Sequence, residues 1–355
     1  MNKNIIIKTA LEDSNVPKKK NSELPVIGIT LGDINGIGPE VVIKALEDKR
    51  ILKLFTPVIY GSSKILSFYR KQLEMESFNF MTVKHDDLAY GKINVVNCWE
   101  NHIEIVPGKV TPEGGNAAWQ ALKNAAIDLK KGYIDAIVTA PINKHNIQSE
   151  DFKYPGHTEF FTTTFEAEDS LMLLVKDDLR VGVVTGHIPL TEVSQQLTRD
   201  RVRRKIKILE TSLKQDFGKI KPTIAVLGLN PHAGEEGLLG SEEQDIIKPV
   251  IEELKQEGKL VFGPFPADGF FGTGAQYKFD GVMAMYHDQG LIPFKTLAFD
   301  KGVNFTAGLS IVRTSPDHGT AYDIAGKNEA NPASIREAMY LACDVLKNRQ
   351  LTIQE

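Results

Sequence analysis

Cysteine is scarce in this 355-residue sequence, which contains only Cys98 and Cys343. The two are far apart and belong to no CxxC pattern, so neither a disulfide framework nor a thiolate zinc site is indicated. Any metal ion would therefore have to be held by histidine or carboxylate side chains.

Long apolar runs and charge of one sign are also missing. No stretch approaches the roughly 18 to 20 apolar residues that cross a bilayer, and the opening residues hold only Ile5 to Ile7 where a secretion signal needs a longer run. The 42 basic and 46 acidic residues are mixed and give a net charge of −4, so no basic field suits a nucleic acid. We expect a cytoplasmic protein without nucleic-acid or membrane partners.

Short apolar runs alternate with helical patterns along the chain. Strand-like runs begin at Pro25 and continue at 56–61, 93–97, 135–140, 171–175, 180–186, 223–228 and 281–287, while helical patterns begin at Pro39, Asn116, Thr198, Ser241 and Asn331. This alternation predicts an α/β fold with a mainly parallel sheet covered on both faces. The length suits about two domains. Residues 1–23 are polar and predict a flexible N-terminal extension.

Three histidines follow strand-like runs: His187 in "VVTGHIPL", His232 in "LGLNPHAGEEG" and His287 in "MAMYHDQG". Because the carboxyl ends of parallel strands meet in one crevice, the three imidazoles could bind one cation. Three nitrogen ligands leave a position open, which is typical of a catalytic metal. The alternative for each residue is a hydrogen-bonded loop histidine.

Other polar residues have two interpretations each. The turn "LGDINGIGPEVV" has GxxxGxG spacing, unlike the GxGxxG dinucleotide fingerprint, and is either an anion cradle or a tight strand-to-helix connection. In "KYPGHTEFF", His157 and Thr158 could bind a polar ligand, or Thr158 could cap a short helix. Lys295, Asn304 and Arg313 suit a phosphate or carboxylate, with surface solvation as the alternative.

Seven stretches, in order, resemble the 4-hydroxythreonine-4-phosphate dehydrogenase family of pyridoxal phosphate biosynthesis, over about residues 26–342. They are "TLGDINGIGPE", "TAPINK", "GHTEFF", "TGHIPL", "GLNPHAGE", "AMYHDQGL" and "RTSPDHGTAYDIAG". The first and last are also similar to GDGIGPEV and HGSAPDIAGKGIANP of isocitrate and isopropylmalate dehydrogenases. The resemblance implies that superfamily's fold, with two α/β lobes, 24–145 with 295–355 and 146–294, and an active-site cleft between them.

The resemblance also implies the site. It assigns a divalent metal (zinc, magnesium or cobalt) to His187, His232 and His287, substrate to His157, Thr158, Lys295, Asn304 and Arg313, and NAD or NADP to the loop with His318, Asp323 and Asn331. The first lobe would carry NAD, and the second the metal and the dimer contact. Asp268 and Asp288 are candidate catalytic residues without an assigned role. The family further implies a homodimer whose active site is shared between subunits.

The implied reaction is oxidation of 4-phosphooxy-L-threonine to 2-amino-3-oxo-4-phosphooxybutanoate, which decarboxylates to 3-amino-2-oxopropyl phosphate. A sister activity on phosphorylated threonate or erythronate is the nearest alternative. A phosphate acyltransferase on the same fold, without metal or nicotinamide, is less compatible with three strand-end histidines. A non-catalytic metal-binding protein fits an open coordination position least well.

Overall fold

The computed structural model describes residues 24–354, and the predicted flexible segment 1–23 lies outside them. The strands are β1 Val26–Thr30, β2 Thr56–Gly61, β3 Met81–Val83, β4 Asn94–Asn97, β5 Ala136–Thr139, β6 Leu171–Lys176, β7 Leu179–Val183, β8 Thr223–Leu227, β9 Leu260–Phe265, β10 Gly281–Ala284, β11 Val303–Ala307 and β12 Val312–Pro316. The helices are α1 Gly38–Ala45, α2 Ser63–Gln72, α3 Pro112–Lys130, α4 His157–Thr164, α5 Val193–Gln196, α6 Arg199–Gln215, α7 Lys248–Gln256, α8 Ala267–Gly272, α9 His287–Ala298 and α10 Ala333–Gln354.

The chain divides into two compact units, and the first is discontinuous. It comprises residues 24–166 and Ser310–Leu346, while the second comprises Ala167–Leu309 and residues 347–354. The last helix, α10, therefore begins in the first unit and ends in the second. No helix among residues 24–354 is both long enough and apolar enough to cross a membrane.

The first unit contains a parallel sheet in the order β3-β4-β2-β1-β5-β12. Strands β1, β2 and β5 are buried along their whole length, as expected for a parallel sheet covered by helices on both faces. Trp119 of α3 packs against Phe152 and Phe160, with ring centroids 5.3 and 5.6 Å away. This aromatic cluster attaches the segment that leads into α4 to the first unit.

The second unit contains strands in the order β11-β6-β7-β10-β8-β9. Strand β6 is antiparallel to both β11 and β7, and the remaining pairs are parallel. Its core includes Val181, Ala225, Val282 and Phe294. Helix α9 lies close to this sheet because residue 290 is glycine: an added Cβ would be 3.0 Å from Val183 Cγ1.

The predicted lobe boundaries need correction. The expected changes of lobe after residues 145 and 294 lie instead after Glu166 and Leu309. Residues 146–166 join the first unit through the Trp119 cluster, and residues 295–309 join the second because β11 pairs with β6. The end of the chain joins the second unit through Arg349, whose Nε donates to Asp216 Oδ1 at 2.7 Å.

All eight predicted strands are present, but the structure contains further elements that the sequence did not predict. Strand β3 is short and largely exposed, and β9 contains a Gly-Pro pair, so neither has a clear apolar pattern. Helix α3 begins at Pro112, earlier than Asn116, because Thr111 Oγ1 caps it by accepting from Gly114 N at 3.0 Å. The helical pattern that begins at Ser241 starts with a π turn, Glu243–Ile247, which leads into α7 and has no capping side chain.

Candidate active site

The three predicted histidine ligands follow neighbouring strands of the second unit. Strands β7, β10 and β8 lie side by side and parallel, so His187, His287 and His232 all follow carboxyl ends at the same edge of the sheet. The three strand ends therefore lie at one edge, while the binding of one cation by the three histidines remains a prediction. Since parallel strands place their following loops together, this edge is where polar side chains can gather.

Hydrogen bonds connect the three strand ends directly. Thr185 donates through its backbone N and its Oγ1 to Met285 O, at 3.1 and 2.8 Å. Met285 N donates to Gln289 Oε1 at 2.7 Å, and Gln289 Nε2 donates to Gly228 O at 2.6 Å. The backbone preceding each histidine is therefore attached to that of its neighbour.

His187 and His287 form a pair, with ring centroids 5.3 Å apart and planes inclined by 45°. His287 is the first residue of α9, and its Nδ1 lies 2.6 Å from Asp288 Oδ1. A proton on Nδ1, directed at the carboxylate, leaves the lone pair of Nε2 available. A histidine held by a carboxylate in this way is the usual arrangement around a protein metal ion.

His232 lies in an unusual backbone segment. Residues 232–236 all have positive φ angles, between 42° and 78°, so the chain makes a turn of left-handed helix. Four of the five, His232, Ala233, Glu235 and Glu236, are not glycine, and each such residue costs about 1–2 kcal/mol. Strain of this kind persists only where surrounding contacts enforce it, and it is concentrated at functional sites. His232 itself is exposed.

The donor chemistry at this edge fits a divalent cation, but one chain does not complete the ligand set. Imidazoles with a carboxylate behind one of them suit zinc or cobalt. However, within residues 24–354 no three histidine, cysteine or acidic side chains come close enough together to hold a metal ion. His232 therefore does not join the His187–His287 pair in a three-ligand group within one chain.

A cleft of about 530 Å³ lies beside His232 in the second unit. Both candidate catalytic residues line it: Asp268 from α8 and Asp288 from α9. Asp288 already binds His287, whereas Asp268 is an exposed carboxylate in the first turn of its helix. Of the two, Asp268 is therefore better suited to accept a proton from a ligand.

A second polar cluster lies in the first unit around Arg313 of β12. The guanidinium is buried and donates from Nε and Nη2 to Thr139 Oγ1, at 3.2 and 2.8 Å. Burial lowers the pKa of Arg313 to about 10, with Glu159 opposing the shift, so Arg313 remains a cation at neutral pH. A buried cation of this shape suits the oxygens of a phosphate.

His157 lies in the same cluster and is kept neutral. Burial lowers its pKa well below the usual value, and the charges of Arg313 and Lys144 add to the effect. Its buried Nε2 has no hydrogen-bond partner among residues 24–354. Because an unpaired buried nitrogen is costly, this atom is available for a polar ligand. Thr158 is not a helix cap: α4 begins at His157, with Gly156 before it and no capping side chain.

Lys295 and Asn304 belong to the second unit. Lys295 is half-buried in α9, eight residues beyond His287 and so about 12 Å further along the helix axis. Asn304 lies in β11, and its buried Oδ1 accepts no hydrogen bond in the described part of the chain. The structure thus brings His157 and Arg313 together in one unit and places Lys295 and Asn304 in the other.

The predicted cofactor loop contains groups that serve the fold. Asn331 Oδ1 accepts from Ala333 N at 2.9 Å at the start of α10. Asp323 is exposed, and His318 is half-buried. Tyr322 in the same loop donates its hydroxyl to Asp33 Oδ2 at 2.8 Å.

The glycine-containing turn is a tight connection organised around Asp33. Asp33 Oδ1 accepts from Asn35 N at 2.9 Å, and Oδ2 accepts from Asn146 Nδ2 at 2.7 Å as well as from Tyr322. Gly36 is needed because an added Cβ would be 2.8 Å from Thr320 O. The geometry supports the tight-connection interpretation, and the turn joins the cofactor loop to β1.

The comparisons with known proteins agree on one family. Residues 53–342 match the family described as pyridoxal phosphate biosynthetic protein PdxA. This chain belongs to that family. It is 52% identical over 326 residues to 4-hydroxythreonine-4-phosphate dehydrogenase of Bacteroides thetaiotaomicron, covering 91% of this chain and 89% of the relative.

Solved structures give the same relationship. A crystal structure of 4-hydroxythreonine-4-phosphate dehydrogenase from Klebsiella pneumoniae matches with a TM-score of 0.77 and 34% identity, covering 92% of this chain and 99% of that one. A terephthalate 1,2-cis-dihydrodiol dehydrogenase from Burkholderia xenovorans matches with a TM-score of 0.61 and 28% identity, covering 91% and 98%. The resemblance carried by the seven stretches and the predicted α/β fold are confirmed, and the chain is a dehydrogenase.

Sequence reasoning missed two residues that organise the histidine-bearing loops, Gln289 and Glu243. Gln289 lies within "AMYHDQGL", two residues after His287, but a glutamine at a helix start has no distinctive pattern. An acidic residue near the start of a helical pattern, such as Glu243, is ordinarily explained by the helix dipole. The structure buries it completely against the loop that carries His232.

Proposed function

We propose that this chain oxidises the carbinol carbon of 4-phosphooxy-L-threonine, using NAD or NADP and one divalent metal ion per site, in pyridoxal phosphate biosynthesis. The observation that carries the proposal is the connected edge of β7, β10 and β8, where His187 and His287 form a pair and His232 follows the neighbouring strand β8. The family and the 52% identical relative support the substrate. The product, 2-amino-3-oxo-4-phosphooxybutanoate, is a β-keto acid that loses carbon dioxide to give 3-amino-2-oxopropyl phosphate.

Each group of residues has a separate task. Arg313, His157 and Thr158 would hold the substrate phosphate, with the neutral imidazole supplying an N–H or a lone pair as required. When bound, the cation would lower the pKa of the substrate hydroxyl, and the nicotinamide would accept the hydride. Asp268 would take the hydroxyl proton. Asp288 would keep His287 in the tautomer that presents Nε2.

We further propose a homodimer with shared sites. Two observations support it. First, three metal-binding side chains do not come together within the described part of a single chain. Second, large apolar side chains of the second unit are exposed, including Leu190 at 74%, Leu238 at 78% and Phe299 at 80%. Single exposed apolar residues are ordinary, but several in one unit that carries an incomplete site favour a self-association surface.

The sister activity on phosphorylated threonate is the second candidate. A relative from Oceanobacillus iheyensis, 40% identical over 328 residues, is named as a D-threonate 4-phosphate dehydrogenase. The two substrates differ at one position, an amine in one and a hydroxyl in the other. The greater identity to the Bacteroides thetaiotaomicron relative favours the amino acid.

The decisive experiment measures NADH formation by purified protein with each phosphorylated acid, before and after chelation and metal replacement. We expect turnover of 4-phosphooxy-L-threonine at a much higher kcat/KM than of phosphorylated threonate, with loss on chelation and recovery on metal addition. Preference for threonate would establish the sister activity. Full activity in the chelated protein would refute the metal requirement.

Replacement of each proposed metal ligand gives an independent test. His187→Ala, His232→Ala and His287→Ala should each lose most bound metal and most turnover while the far-ultraviolet circular dichroism is retained. His102→Ala, at an exposed histidine of the first unit, is the control and should retain both. A variant that keeps full metal content would remove that histidine from the ligand set.

A further inference from the structure

The carboxylate of Glu243 is fully buried at the π turn that precedes α7. In the described residues its hydrogen bonds come only from N–H groups of the loop after β8, and no lysine, arginine or histidine pairs with it. Burying a carboxylate without a cation is unfavourable unless several donors replace water. A sequence that needed only a helix start here could use an apolar residue, so the charge has another use.

Three hydrogen bonds, two from backbone N–H groups and one from a side chain, connect this carboxylate to Leu229 and Asn230, which precede His232. Oε1 accepts from Leu229 N and Asn230 N, both at 2.7 Å, and Oε2 accepts from Asn230 Nδ2 at 2.9 Å. The second proton of Asn230 Nδ2 is directed at Glu242 Oε2, 2.8 Å away. Leu229 is therefore held by Glu243, and Asn230 is held by both Glu243 and Glu242, just before the left-handed turn begins.

The turn itself closes around the same carboxylate. Gly234, in the middle of the turn, approaches so closely that an added Cβ would lie 2.5 Å from Glu243 Oε2. An added Cβ at Gly228 would lie 3.0 Å from Oε1. Backbone of this strained kind needs contacts that enforce it, and the Glu243 carboxylate is the buried group that both approaches share.

We propose that Glu243 is a positioning residue: its buried carboxylate holds the left-handed turn 232–236 and so fixes where His232 presents its imidazole. This rests on the proposed role of His232 as a metal ligand. Glu243 touches neither metal nor substrate and acts through the backbone of Leu229 and Asn230. Asp288 differs, because it contacts the side chain of a proposed ligand, His287, directly.

The test is a titration of chelated protein with Co²⁺ alone, followed by its visible absorption. Glu243→Gln keeps the size of the side chain, but an NH₂ group then faces either Asn230 Nδ2 or the two backbone N–H groups. We expect Co²⁺ binding to weaken about 10- to 100-fold, the usual effect of losing a group that orients a ligand. Hydrogen exchange of the peptide over 228–239 should also become faster, while exchange of α6 remains unchanged.

The matched control is Glu210→Gln, at another largely buried carboxylate of the second unit, which pairs with Lys214 and Lys259. It should lower the melting temperature without changing Co²⁺ affinity by more than about threefold, because it lies outside the groups that orient a ligand. Should Glu243→Gln not fold, Asn230→Ala removes one donor to the same carboxylate and should give a smaller loss of Co²⁺ affinity. Unchanged Co²⁺ affinity in the folded variants would overturn the proposal.

His232→Ala in the same titration distinguishes the proposed role of His232 as a metal ligand from the proposed positioning role of Glu243. Loss of Co²⁺ binding in His232→Ala, together with wild-type affinity in Glu243→Gln, would reject the positioning role alone. Wild-type Co²⁺ binding in His232→Ala would reject His232 as a ligand and the role of Glu243 with it.

Discussion

At the scale of single residues, the histidines of this chain are placed in opposite environments. His187 and His232 are exposed at the edge of the second unit, whereas His157 is half-buried, with its Nε2 buried, beside the cations Arg313 and Lys144. A metal ligand needs access and a lone pair, and a buried substrate contact needs a fixed protonation state. The same side chain serves both because its environment sets its pKa.

The environment of His157 predicts a pH dependence of stability. The unfolded chain binds a proton at His157 below about pH 6.5, and the folded chain does not, because burial and nearby cations lower its pKa. Stability is therefore lost as the pH falls below about 6.5, by at most about 1.4 kcal/mol per pH unit. In urea unfolding between pH 7 and 5, His157→Gln should lose less stability than wild type.

The control for this measurement is His102→Gln, at an exposed histidine of the same unit. It should follow the wild-type pH dependence. Identical pH profiles for His157→Gln and wild type would show that folding does not lower the pKa of His157.

Arg313 gives the second prediction at this scale. Arg313→Ala should raise the KM for the phosphorylated acid while the KM for NAD changes little, with a loss of about 1.5–3 kcal/mol in kcat/KM for a charge-assisted contact. Arg70→Ala, at a half-buried arginine stacked on Phe80 in the same unit, should change neither constant. Equal increases in both KM values for Arg313→Ala would instead indicate a structural role beside Thr139.

At the scale of elements, the strands show how far the sequence could be interpreted. Runs such as 26–30 and 223–227 were evident because most of their residues are apolar. Strand β12 was not, since "VRTSP" contains Arg313 and Thr314, which are buried by hydrogen bonds to Thr139 Oγ1 and Ala338 O. Polar side chains satisfied by distant partners leave no local pattern, because the partner is unknown until the chain has folded.

The left-handed turn at the site is a second feature that local sequence patterns do not predict. The three histidines follow apolar runs that local patterns identify as strands, and the structure makes these strands, β7, β10 and β8, neighbours in the sheet. Nothing in "PHAGEEG" predicts five successive positive φ angles, since four of those residues disfavour them. The conformation depends on Glu243, which is eleven residues beyond His232 in sequence.

In this turn, replacement by glycine should have the opposite effect on stability to the one it has in a helix. Glu236 is exposed with φ 57°, so Glu236→Gly should stabilise the protein by up to about 1 kcal/mol, while Glu236→Val should destabilise it because a β-branched residue resists this φ. At Glu252, exposed in α7, glycine should destabilise by about 1 kcal/mol. Thermal unfolding of the three variants gives the order, and the same sign at both positions would contradict the left-handed conformation.

At the scale of the whole molecule, shared sites predict that defects can complement each other. Arg313→Ala and His187→Ala are expected to be inactive alone, but a mixed dimer would carry both lesions in one site and none in the other. Activity should therefore return to at most about half per mixed dimer when the chains exchange. Native mass spectrometry of differently tagged chains would measure the exchange.

Several pairings are needed, for example Lys295→Ala with His187→Ala and Asn304→Ala with His287→Ala. Two substitutions at residues that the same chain supplies to a given site should not restore activity when the variants are mixed. Such pairs are the internal control. If every pairing remains inactive despite demonstrated exchange, all the ligands belong to one chain and the shared site is wrong.

The division of α10 between the two units has a consequence for dissecting the chain. Asn348 and Arg349, which bind Asp216 of the second unit, follow the last residues of the first unit in sequence. A continuous fragment over 167–309 therefore lacks contacts that the second unit has in the intact protein. Neither unit can be excised as one uninterrupted piece of the chain.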